Sequence, residues 1–125
     1  MALGEVRLEL PASPDSLRLA RILVAGVASR GGFTLDTLQD LRLAIDELCH
    51  ALIGGGREGT LTLRLRLVPE GLEVHGQGQF GDSGREGSLS AWSEKILETV
   101  VDYFDFSLTA GEAGFHMVKR LTTTT

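Results

Sequence analysis

Cysteine occurs once in this chain, at Cys49, so no disulfide can form within it. That suits a reducing compartment. Aromatic residues make up only 6% of the chain, with one tryptophan and one tyrosine. No block of lysine and arginine is present and the net charge is −5, so the basic footprint of a nucleic-acid binder is missing. No apolar run approaches the roughly 20 residues of a membrane span. Glu5, Glu9, Pro11, Pro14 and Asp15 interrupt the first twenty residues, which therefore lack the apolar core of a signal peptide. These absences lead to the expectation of a cytoplasmic domain that uses neither membrane nor nucleic acid.

What is present is a globular composition, 42% hydrophobic and 23% charged, over 125 residues. That is enough for one packed core, expected over residues 1–121 with a frayed tail at 122–125. Sixteen glycines are many for this length.

The segment EVRLEL alternates, with Val6, Leu8 and Leu10 on one face, and predicts a strand ending at Pro11. A helix follows, with Ser13 as cap, Pro14 in the first helical position and Asp15 at the positive end of the dipole. Its apolar residues lie nearly all round, which predicts deep burial, and Gly31 and Gly32 end it. A second helix starts near Thr34 to Asp36, with Asp36 and Gln39 at capping-box spacing. Leu38, Leu41, Ile45, Leu48 and Leu52 form its core stripe, and Gly54, Gly55 and Gly56 stop it.

TLTLRLRLV alternates again, turns at PEG, and returns as LEVH, a hairpin. Residues 76–88 hold five glycines and read as a long loop. A third helix over Leu89 to Tyr103 would bury Trp92, Ile96 and Val100, and FDFSLT and FHMVKRL make two last strands. The expected fold class is α+β: a two-layer sandwich with a mixed, mostly antiparallel five-stranded sheet and three helices on one face. Alternating polar residues leave the other face open to solvent or a partner.

In this order, LPASPDSLRLAR, LQDLRLAIDELCHALI, LEVHGQGQFGD and ILETVVDYFDFSLTAGEAGFHMVKRL resemble the anti-sigma factor serine kinases of the histidine-kinase-like ATPase superfamily. The resemblance covers nearly the whole chain. It implies a second helix bearing E-x-x-x-N, whose two side chains share one face because four residues make about one turn. In that family the asparagine holds a magnesium ion on the phosphates, the glutamate activates the attacking group, and a D-x-G-x-G motif reads adenine. A glycine-rich lid closes over the phosphates.

Carried onto this chain, the resemblance makes Glu47 the candidate catalytic acid. Ala51 replaces the magnesium-binding asparagine, and a methyl group cannot hold a metal. Gly76 stands where the adenine-reading aspartate belongs, Gly78 matches the first motif glycine, and Phe80 falls where the next glycine should be. Asp82 is the nearest acid. Gly84, Gly87 and Ser88 would be the remains of the lid. Losing a charged hydrogen bond to adenine costs about 2 kcal/mol, roughly 30-fold in affinity.

The implied function is a regulatory protein-binding module with impaired ATP binding and kinase activity. Its partner would be a sigma factor or an anti-sigma antagonist, and it would form a homodimer as relatives do. The alternative is an active ATP-dependent serine kinase that uses ATP and magnesium.

Other residues carry plainer expectations. Glu47 is otherwise a surface acid of an amphipathic helix. Cys49 and His50 point about 100° apart on a helix and do not share one ion. Zinc needs three or four converging ligands, and nothing in the spacing of His50, His75 and His116 brings them together. Arg64 and Arg66 belong on the solvated face of the hairpin.

Overall fold

A computed structural model describes residues 4–53, 58–80, 89–109 and 112–121. The elements run β1 (Val6–Pro11), α1 (Ser16–Arg30), α2 (Leu35–Ile53), β2 (Gly59–Val68), β3 (Gly71–Phe80), α3 (Ala91–Val100), β4 (Tyr103–Thr109) and β5 (Glu112–Arg120). The five strands form one sheet in the order β1-β2-β3-β5-β4. Every neighbouring pair is antiparallel, so the sheet is not mixed.

Register follows from the leucine pattern. Val6, Leu8 and Leu10 oppose Leu65, Leu63 and Leu61, and a slip of β1 by one residue would turn its three apolar side chains to the solvent face. Leu61, Leu63, Leu65, Leu72, Val74, Phe115 and Met117 meet Leu41, Ile45, Leu48 and Leu52 of α2 in one core. The helices cover this face alone. Arg7, Glu9, Thr62, Arg64, Gln77 and Asp105 stand on the other, around an open depression of about 520 Å³.

The helix ends differ from expectation by a turn or less. Ser13 does not cap α1. Its carbonyl accepts from Ser16 and the Pro14 carbonyl from Leu17, so a tight turn precedes a helix that starts at Ser16. Gly31 closes α1 by donating to the Ala28 carbonyl, and Gly32 follows with φ +86°, where a side chain would strain the backbone. For α2 the cap is Thr34 rather than Asp36: the Thr34 hydroxyl accepts from the Thr37 amide at 3.3 Å. The glycines 54–56 lie outside the described residues.

Burial of α1 is one-sided. Ala20, Val24 and Ala28 are sealed, whereas Leu19 and Ile22 are 52% and 61% exposed. The helix packs on α2 at the margin of the layer, so its outer apolar residues find no neighbour. An Arg21–Asp46 ion pair at 2.6 Å fastens the two helices.

Trp92 is the larger correction. It is 73% exposed, and Tyr103 belongs to β4, not to a helix. The face of α3 that meets the core runs through Leu97 and Val100, with Ser93 a turn earlier, which is one position round the helix from the Trp92–Ile96 stripe. Ser90 caps α3 by accepting from the Ser93 amide at 3.0 Å, and Ser93 turns inward to α2.

Residues 76–80 are strand, not loop. β3 runs ten residues to Phe80 because β2 pairs with all of it and β5 with it as far as Gly78: Gln77 opposes Thr62 of β2 and Gly114 of β5. The ladder on two edges supplies what the glycine-rich sequence lacks in apolar weight. Among the described residues no helix is long and apolar enough to cross a membrane.

Candidate functional site

Helix α2 places Glu47 and Ala51 one turn apart on the side facing α3. Glu47 is half-buried. Its carboxylate accepts a hydrogen bond from the Ser93 hydroxyl of α3 at 3.0 Å, so it is an interhelical acceptor rather than a free surface acid. Serine has no distinctive sequence signal here; only the packing of α3 on α2 reveals it. Ala51 is buried, with 9% of its surface exposed, and its methyl group offers no donor or acceptor.

Gly76 and Gly78 lie on the helix-facing side of β3, in line with Leu72 and Val74. The space above each is filled by an aromatic ring. A Cβ on Gly76 would collide with the Phe115 ring, and one on Gly78 with the Phe80 ring. Phe115 sits directly opposite Gly76 on β5. Glycine is required at both positions by the rings beside it, not by an unusual φ. The structure thus puts Glu47 and Ala51 on one helix and Gly76 and Gly78 on the strand beneath. Asp82, Gly84, Gly87 and Ser88 lie outside the described residues.

Cys49 is fully buried, and burial, reinforced by the nearby Asp46 charge, pushes its thiol up from 9.0 to about 12. His50, next to it, is exposed. The two do point apart.

On the open face, β3 and β5 bring His75 and His116 directly opposite one another. Burial holds the His75 pKa below its ordinary value, with His116 and Arg64 pushing the same way against Glu73 and Glu5. Sequence spacing gave no sign of this meeting, because it depends on strand order. His50, on α2, takes no part.

An open five-stranded antiparallel sheet layered on one face by three helices is the α+β architecture of the histidine-kinase-like ATPase class. No protein-family model matches the chain. Whole-chain relatives are found among curated proteins. Serine-protein kinase RsbW of Listeria innocua is 30% identical over 122 residues, covering 94% of this chain and 74% of that protein. The Listeria monocytogenes protein of the same name matches with the same identity and coverage. Serine-protein kinase RsbW of Bacillus subtilis is 30% identical over 73 residues, 55% of this chain and 46% of that one. The chain belongs to the anti-sigma factor serine kinase family.

Proposed function

We propose that the chain is a regulatory protein-binding module of this family with an impaired nucleotide site. It acts by contacting a sigma factor or an anti-sigma antagonist, not by transferring phosphate. The observation that carries this reading is Ala51, one turn after Glu47, where a hard oxygen ligand for magnesium is needed. Two more support it. The Phe115 ring takes up the space beside Gly76 in which an adenine-reading side chain would stand. Glu47, the remaining acid, is engaged by Ser93. These residues do not fit a magnesium-bridged nucleotide, because phosphoryl transfer depends on positioned charge and the charge-bearing ligands are missing. The core, by contrast, is complete, which leaves the protein surface as the working part. Self-association into a homodimer belongs to the same proposal.

The test is calorimetry with ATP and magnesium, alongside co-purification with the sigma factors and antagonists of the source organism and sedimentation of the free chain. The proposal expects no saturable nucleotide heat at millimolar ATP, and a stable complex with one of those regulators. Recovery of neither kind of regulator would overturn it.

A second reading is favoured by one specific feature: Glu47 is retained in a chain whose relatives are serine-protein kinases. Under it, ATP and magnesium bind in a different register and Glu47→Ala abolishes phosphate transfer to a protein serine without unfolding the chain. Magnesium-dependent binding of ATP would decide for this reading.

A further inference from the structure

We propose that Glu73, His75 and His116 form a site for a divalent transition-metal cation of the zinc class on the open face of the sheet. The helix layer and its nucleotide-site positions lie on the opposite face, so the proposal stands apart from the function proposed above.

The geometry comes first. His75 on β3 and His116 on β5 are direct cross-strand partners. Their rings stack with centroids 4.1 Å apart and planes only 7° from parallel. Glu73 is two residues before His75 and shares its face, because side chains alternate along a strand. One ligand atom from each of the three residues lies within 4.8 Å of the other two. Around zinc, with bonds of about 2.0–2.2 Å, tetrahedral ligand atoms stand about 3.4 Å apart. An imidazole donates in the plane of its ring, so binding one ion requires His75 and His116 to turn out of their parallel stack until their lone pairs converge. Three protein ligands leave a fourth position for water or for a donor from a partner.

The second observation is independent of the cluster. His116 Nε2 is buried and has no hydrogen-bond partner among the described residues. A buried polar atom without a partner is unfavourable, and most such atoms have an explanation. A metal ion bound through Nε2 would give this atom a partner. The ring itself is steadied by Tyr103, which meets it edge-on with centroids 5.4 Å apart.

The surrounding charge also admits a cation. Asp105 of β4 opposes His116. Arg64 of β2 opposes His75, but its guanidinium lies 4.0 Å from the Glu5 carboxylate. The donor set of two imidazoles and one carboxylate selects zinc, nickel or copper over magnesium or calcium, which prefer oxygen alone. An ion here would tie β3 to β5 across the open face.

The experiment is titration of the tag-free chain with zinc chloride in a non-chelating buffer, read by calorimetry and by imidazole nitrogen NMR. One zinc ion per chain is expected, at micromolar affinity or better, with the His75 and His116 resonances moving and those of His50 unchanged. His75→Ala and His116→Ala should each weaken binding by at least about tenfold, the scale on which metal sites respond to loss of their supports. Glu73→Gln should weaken it less, and His50→Ala not at all. NMR of the wild type needs no variant to fold. Absence of zinc-dependent shifts at His75 and His116, or loss of binding in His50→Ala, would overturn the site.

Discussion

Replacing Gly76 with alanine should destabilise the protein, and the reason lies in one ring. Three carbons of Phe115, Cδ2, Cε2 and Cζ, stand where the new methyl group would go. Phe115 is only 5% exposed and is flanked on β4 by Phe106, so the ring has little room to swing away. Overpacking a core costs about 1–3 kcal/mol. Because Gly76 does not have a positive φ, alanine returns about 0.4–1 kcal/mol by restricting the unfolded chain. The net loss is about 1–2 kcal/mol. Unfolding entropy of about 2.1 cal/mol/K per residue gives about 0.26 kcal/mol/K for this chain, so Tm should fall about 4–8 °C. The assay is thermal and urea unfolding of four proteins: wild type, Gly76→Ala, Phe115→Leu and the double variant. With the smaller leucine in place, the alanine should cost under about 0.5 kcal/mol, giving a coupling energy of about 1 kcal/mol. An unchanged or raised Tm for Gly76→Ala, or an equal loss in both backgrounds, would refute the argument. The same ring bars any larger side chain from this position.

Three further outcomes follow from the packing. Leu48→Ala removes a fully buried side chain from the centre of α2, and should cost about 2–5 kcal/mol in urea unfolding. Ser93→Ala deletes the hydroxyl that donates to Glu47; a loss of about 1.5–3 kcal/mol is expected for a bond to a charged acceptor, with no such loss when Ser93→Ala is made on Glu47→Ala. Cys49, with its thiol at about 12, should resist a thiol reagent at pH 8 in the native protein and react on unfolding. Its linkage has a definite sign. The unfolded chain releases this proton first, so the contribution of Cys49 to stability is whole below pH 9 and declines as pH rises from 9.0 towards about 12. Denaturant midpoints measured across that range, compared with Cys49→Ala, check it.

The legible parts were those written in local periodicity. Two-residue alternation in EVRLEL and TLTLRLRLV set which leucines face inward, and the spacing of Leu41, Ile45, Leu48 and Leu52 set the buried stripe of α2. Element order and the family resemblance followed from such patterns, as did the positions of Glu47 and Ala51. A helix carries its own hydrogen bonds, so residues four apart share a face wherever the helix is placed.

Tertiary structure decided the rest, because the deciding neighbours are distant in sequence. Gly76 to Phe80 read as a loop until β2 pairs with the whole segment and β5 with it as far as Gly78. Trp92, Ile96 and Val100 form as good a stripe as Ser93, Leu97 and Val100; packing buries Val100 and half-buries Ile96 against the core but leaves Trp92 outside. Ser93 gains its role only where α3 meets Glu47, and the Phe115 ring covers Gly76 only because β5 lies beside β3. His75 and His116 sit on strands separated by a whole helix in sequence, and pairing sets their rings face to face. A side chain's chemistry is spelled by its own letter, but its partners are assigned by strand order and helix docking.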